Sequence, residues 1–223
     1  MKRMDFTMAE MKESASATLI GDLIGSRDAR DRDALHATLA RALADINERF
    51  APTTPLRITV GDEYQGAFAT EGASLQASLR LRLAMLPEFD LRHGLGWGPV
   101  RVLEPEPRVE DGPGWWAARD GISAVEAAES RPSSRDRRTA YVRAEGAGGP
   151  DPAAIESLLV LRDSAVARLS GRSLSVLRDL MTGTSQREIA ERLDISPSAV
   201  SQRVRSDGLA ALVSADETMG AIK

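Results

Sequence analysis

The sequence contains no cysteine and only two histidines, His36 and His93. A disulfide framework, thiol chemistry and a cysteine- or histidine-built zinc site are therefore excluded, and any metal must be held by oxygen. Long apolar runs are also missing. The longest pieces, such as Leu158–Leu161, fall far short of the ~20 residues that span a bilayer. The first residues, Met1–Ser16, mix Lys2 and Arg3 with Asp5, Glu10 and Glu13 and lead into no apolar core of signal-peptide length, so a cytoplasmic location with no membrane role is expected. An excess of positive charge is lacking as well: the net charge is −4, which argues against nonspecific polyanion binding by the whole molecule but leaves room for a small DNA-reading face. No internal repeat is evident.

What remains, in 223 residues, is enough for a medium domain plus a small appended module. Thr18–Ile20 runs into Gly-Asp-Leu-Ile-Gly, the pattern of a buried strand closing on a turn. Leu35, Leu39, Leu43 and Ile46 recur at helical spacing and predict a helix ending near Phe50, before Pro52. Leu56–Val60 and Tyr64–Ala69 are strand-like and flank Gly61-Asp62-Glu63, a hairpin turn. Leu75, Leu79, Leu83 and Leu86 mark a second helix stopped by Pro87. Leu91–Val100 resumes as a strand whose Gly94, Gly96 and Gly98 imply close approach by another element.

Strand, helix, two strands, helix, strand is the ferredoxin-like order, an α/β (α+β) fold with an antiparallel sheet and helices on one face. After it, 104–114 reads as a loop, 119–129 as a helix, 131–138 as a charged mobile stretch, and Tyr141–Val142 as an edge strand. Gly146–Pro152 reads as a linker. The expected organisation is a flexible N-terminus (1–16), the α/β domain (17–146), a linker and connecting helix (147–167), and a small all-α domain (168–223).

In that last segment Ser185 and Glu188 form a capping box, Asp194 occupies a tight turn, and Ser196-Pro197 restarts a helix. Ile189, Leu193, Ile195, Val200 and Val204 supply an apolar seam, with small Ala190 at the crossing. This is a helix-turn-helix pattern. Its second helix presents Ser196, Ser198, Ser201, Gln202, Arg203 and Arg205 to base edges and phosphates of double-stranded DNA. A packed helix pair used only for dimerisation is the plainer alternative. Basic residues in 168–223 barely outnumber acidic ones, so affinity would have to come from placement and from a homodimer spanning two half-sites.

Three segments, Ile20-Gly21-Asp22-Leu23-Ile24-Gly25-Ser26, Thr59-Val60-Gly61-Asp62-Glu63 and Leu91–Val100, resemble in order and spacing the class III nucleotide cyclase catalytic domain. With the C-terminal helix-turn-helix, the chain after about Thr18 resembles the SatD family. The resemblance implies that Asp22 and Asp62 hold Mg²⁺ against a purine nucleotide, and that Gly25 and Ser26 offer backbone N–H groups to phosphate. It further implies that Arg119 stabilises charge on the reacting phosphate, and it puts Trp115 where cyclases carry asparagine. The base-recognising lysine falls at Ile58, and Asp111 is a loose match for the accompanying acid. Asp22 and Asp62 can alternatively be turn residues, and Trp115 and Trp116 can stack on a base or simply cover apolar surface. His93 reads as structural.

The reading that follows is a DNA-binding transcriptional regulator with a degenerate cyclase-like sensor or dimerisation domain. An active Mg²⁺-dependent nucleotidyl cyclase is the alternative, and an interaction scaffold is a third possibility.

Overall fold

The computed structural model describes residues 15–26 and 31–223. The tail expected over 1–16 lies outside the described residues up to residue 14, and Ala15 and Ser16 already pair with Pro99 and Gly98. Strand β1 (Ala15–Leu23) leads to helix α1 (Arg32–Phe50), the hairpin β2 (Thr54–Val60) and β3 (Glu63–Phe68), helix α2 (Glu71–Met85) and strand β4 (Leu91–Pro99). A small hairpin, β5 (Arg101–Pro105) and β6 (Arg108–Asp111), precedes α3 (Pro113–Glu129) and β7 (Thr139–Arg143). The rest is helical: α4 (Pro152–Ala167), α5 (Gly171–Met181), α6 (Gln186–Leu193), α7 (Pro197–Ser206) and α8 (Leu209–Gly220).

The main sheet has the order β2-β3-β1-β4-β7, antiparallel throughout except for β7 beside β4. Its first four strands have the ferredoxin-like arrangement that the order of elements predicts. Helix α1 forms as its spacing demands: Asp31 caps it by accepting from the Ala34 N–H at 2.9 Å, and Leu35, Leu39, Leu43 and Ile46 are buried. Asn47 then ties the helix to β2 through two bonds to the Leu56 backbone, at 2.9 and 2.8 Å.

Both faces of the sheet are covered, not one. Side chains alternate across a strand, so Ala17, Leu19 and Leu23 of β1 join α1, α2 and α4 in the principal core. Thr18 and Ile20 point the other way, toward α3. There Ile20 and Ala67 pack with Trp115, Ala118 and Ile122, and the Thr18 hydroxyl donates to the Gly114 carbonyl at 2.7 Å. The element expected to crowd the glycines of β4 is α3. A Cβ on Gly94 would sit 2.0 Å from the Ala118 carbonyl oxygen, and one on Gly96 would sit 2.2 Å from that of Gly114. Backbone meets backbone along this seam, and only glycine permits it.

Two stretches differ from expectation. Residues 104–114 do not form a loop but carry most of the β5–β6 hairpin and the start of α3. Pro105 ends β5, Pro107 lies in the turn before β6, and Pro113 opens α3, positions where no ladder or helix donor is needed. The stretch 131–138, expected to be mobile, is anchored: Arg138 donates to Asp90 at 2.8 Å and Arg137 pairs with Glu156.

Helix α2 is buried nearly all round. Leu75, Leu81 and Met85 belong to the sheet core, whereas Leu79 and Leu83 belong to a second core built by α4–α8. At its start the Gly72 N–H bonds the Ile222 carbonyl at 3.1 Å. Segment 146–151 is likewise tied down, because Trp97 Nε1 donates to the Gly148 carbonyl at 2.7 Å and Arg143 donates to those of Gly149 and Pro150, each at 2.8 Å. Among the described residues no helix is long and apolar enough to cross a membrane.

Candidate functional site

Strand β1 brings Asp22 to one end of the sheet, on the α3 side. Gly21 pairs with Tyr64 and Asp22 with Arg92, so the carboxylate lies beside the β2–β3 turn that carries Asp62. Helix α3 runs antiparallel to β4, as the Gly94 contact with Ala118 and Ile122 and the Gly96 contact with Gly114 require. Its last turns therefore reach the same end. Arg92 Nη1 donates to Asp22 Oδ2 at 3.1 Å and to Glu126 Oε1 at 3.1 Å, while its Nε donates to Glu129 Oε1 at 2.9 Å.

Asp22 is left incomplete by this arrangement. Its Oδ1 is buried and has no hydrogen-bond partner among the described residues. Burial pushes its pKa up to about 6; Arg92 works against the rise, and Glu126, Asp62 and Glu129 add to it. Arg92 serves three carboxylates and Arg138 reaches only Glu129 among them, at 3.7 Å, so Asp22 and Glu126 share one guanidinium and a proton or a cation at Asp22 is favoured.

Arg119 on α3 joins the same end and makes a two-pronged bond to Glu63, at 2.7 and 2.9 Å. Glu63, Glu126 and Asp22 all hold its charge in place and raise its pKa. Gly25 follows β1 in a turn with φ of 72°, and Ser26 beside it is buried. Asp22, Asp62 and Arg119 thus converge, with Gly25 and Ser26 just beyond the strand end.

Trp115 does not join them. It is 8% exposed and packs on Ile20, Ala67, Ala118 and Ile122, so its faces are spent on packing and it cannot stack on a base without leaving its core. Trp116 is the exposed indole, and it donates to Asp111 at 2.8 Å. His93 is fully buried 2.7 Å from the Tyr64 hydroxyl, with burial pressing its pKa down to about 3. It is a neutral core residue.

Arg92, Glu126 and Glu129 were not legible as site residues. Arg92 lies inside the Leu91–Val100 segment, and the Glu126 and Glu129 spacing on α3 puts both on one helix face. That spacing was the available signal.

The second candidate surface is the α6–α7 pair. The Ser185 and Glu188 capping box forms, Asp194 adopts left-handed geometry with φ of 51°, and Ser196 caps α7. Ile189, Ala190, Val200 and Val204 are buried. Ser196, Ser198, Gln202 and Arg205 are exposed on α7, and Ser201 is half-buried. Arg205 donates to the Ser201 hydroxyl at 2.8 Å. Arg203 turns back toward α5, where Nη1 lies 3.4 Å from the Ser173 hydroxyl, which points it away from the outer face.

A ferredoxin-like sheet with paired aspartates at one end, joined by a shared helix to a small helical bundle, defines the class. The chain belongs to the SatD family, whose profile matches residues 17–219. Among solved structures it is similar to the catalytic core of a rhodopsin-guanylyl cyclase with converted specificity in complex with ATPαS, at 17% identity and a TM-score of 0.42 over 50% of this chain and 72% of that one. It is also similar to the guanylate cyclase domain of RhGC from Catenaria anguillulae in complex with GTP, at 18% identity and a TM-score of 0.40 over 50% and 73%. The adenylyl cyclase CyaB from P. aeruginosa matches at 16% identity and a TM-score of 0.41 over 49% and 71%. No curated protein matches the sequence.

Proposed function

We propose that this protein is a DNA-binding transcriptional regulator whose cyclase-like domain senses a purine nucleotide or pairs two chains. The observation that carries the reading is the outer face of α7: Ser198, Gln202 and Arg205 are exposed on a helix whose Val200 and Val204 anchor it inward. A rigid, capped helix with an uncovered polar face has the form of a major-groove reader, and the α6–α7 pair serves as the helix-turn-helix. Near-balanced charge in the bundle favours a homodimer as the binding species.

The sheet end supports the sensor half of the reading. Asp22 Oδ1 lacks a partner among the described residues, and carboxylate oxygens are the donors Mg²⁺ prefers. Asp22 and Asp62 would hold Mg²⁺, which when bound supplies charge neutralisation for phosphate oxygens. Gly25 and Ser26 would offer backbone N–H groups to the same phosphates.

Gel retardation with a randomised duplex pool tests the DNA half. Wild type is expected to select a sequence, Gln202→Ala to relax that preference, and Arg205→Ala to weaken binding evenly across sequences. No retardation by wild type, with or without nucleotide, overturns the regulator and favours a scaffold.

Convergence of Asp22, Asp62 and Arg119 favours a second reading, an active nucleotidyl cyclase. Cyclic product from ATP or GTP with Mg²⁺, lost in Asp62→Ala, would establish it. The sensor reading expects binding without turnover, because Arg119 is engaged by Glu63 and the indole of Trp115 is packed into the core.

A further inference from the structure

A cleft of about 550 Å³ opens where α1 and α2 of the sheet domain meet the end of α5. Its size falls in the ~300–1,000 Å³ range of small-molecule pockets. Buried Ala42, Ile46, Leu83 and Met181 make an apolar floor, and the flexible thioether of Met181 lets that floor adapt to shape. Three guanidiniums line the walls. Arg80 bonds the Met181 carbonyl at 3.0 Å and Asp216 at 2.8 Å, but its Nε is buried with no acceptor among the described residues. Arg49 and Arg178 form no ion pair among the described residues; Arg49 reaches the Met181 carbonyl at 3.4 Å, and Arg178 bonds back to Leu174 of its own helix. Asp45 and Glu48 sit on the exposed side of α1 at the rim.

We infer that this cleft binds a small amphipathic monoanion, with an apolar body on the floor and one anionic group among Arg49, Arg80 and Arg178. The placement of charge sets the class. Arg80 is offset by Asp216, Arg49 and Arg178 have no ion partner among the described residues, and Asp45 and Glu48 lie apart on the exposed side of α1, so a single anionic group between the guanidiniums finds a partner while a triphosphate reaching the rim would meet Asp45 and Glu48. The site is separate from the Asp22 end of the sheet and goes beyond the regulator reading, since it requires neither DNA nor nucleotide. Its position gives it a consequence: a ligand here touches both cores and is stabilised only while they stay together.

The test uses two fluorescent probes on the full chain, 8-anilinonaphthalene-1-sulfonate and its uncharged counterpart N-phenyl-1-naphthylamine. The sulfonate is expected to bind once per chain, and Arg49→Gln with Arg178→Gln to weaken it about tenfold while leaving the neutral probe unchanged. Ala84→Trp, at an exposed lining position, fills the mouth and is expected to abolish both. Sulfonate binding that survives Ala84→Trp, or that is indifferent to loss of the two arginines, would overturn the proposal. Because neither readout involves DNA, a failed retardation experiment and a failed probe titration are separate results.

Discussion

Two charge clusters flank the same sheet, and they are built to different ends. Around Asp163 the carboxylate itself is fully answered, and only Arg162 Nε in the cluster lacks a partner among the described residues: Asp163 accepts from the Arg138 and Thr139 backbone N–H groups at 2.8 and 2.6 Å and meets Arg82 at 3.3 Å. Arg82 is bonded as well to Asp90 at 2.7 Å, and Arg162 to the Thr139 hydroxyl at 2.7 Å and the Leu75 carbonyl at 3.0 Å. Against the upward push of burial, Arg82 and Arg138 hold the Asp90 carboxyl below the usual carboxylate range. Around Asp22 the count of partners runs short, and its pKa rises. A satisfied network cements elements together; an unsatisfied one keeps capacity for something that arrives later.

Four substitutions can break or sharpen this contrast. Asp163→Ala strands Arg82 and Arg162 without their shared carboxylate and is expected to cost roughly 3–5 kcal/mol in urea unfolding, the range for a broken buried pair. A loss under about 1 kcal/mol would mean the cluster is not cement. Arg92→Met leaves Asp22 and Glu126 without their guanidinium, and Glu129 with Arg138 alone at 3.7 Å, and should cost about 2 kcal/mol at neutral pH. That loss should shrink as pH falls toward 5, where Asp22, with its raised pKa of about 6, takes up its proton.

Asp22→Asn should act in the opposite direction. Because the folded-state pKa of Asp22 is raised, the folded form binds the proton more tightly than the unfolded chain does, so this group's contribution to stability declines as pH climbs from about 4 through about 6. The variant, which carries no charge, should equal wild type near pH 4 and exceed it by about 1 kcal/mol at pH 8, after discounting for partial exposure. Stability curves that stay parallel across that range would remove the cause assigned to the shift. The smallest effect is expected from Glu129→Gln, within about 0.5 kcal/mol, since Arg92 keeps Asp22 and Glu126; a larger change in the same unfolding experiment would place Glu129 in the cement.

Much of this was legible in the chain. Leu35, Leu39, Leu43 and Ile46 announce α1 because a helix on a sheet must bury one stripe, and the glycines of β4 announce a close neighbour because no other residue tolerates one. Ser185, Asp194 and Ser196 mark their turn through local hydrogen bonding that needs no tertiary information. The β5–β6 hairpin was hidden because its proline- and acid-rich composition matches that of loops. Arg137 and Arg138 looked mobile because their partners Asp90, Glu156 and Asp163 lie far off in sequence. At the site, Asp22 and Asp62 stand beside turn glycines and can be found, but Arg92, Glu126 and Glu129 are ordinary surface letters until β4 and α3 are folded together. Trp115 shows the reverse failure: a residue type that suits a ligand is used for packing.

Helix α2 carries one further consequence. Since Leu75 and Leu81 face one core and Leu79 and Leu83 the other, the chain has no seam along which it can be cut into self-sufficient halves. A fragment ending near residue 150 would show bare leucines where the bundle belongs, and an isolated bundle would lack a wall. Proteases should find the intact protein hard to divide, and anyone wishing to study its two ends separately will need to carry α2 with both.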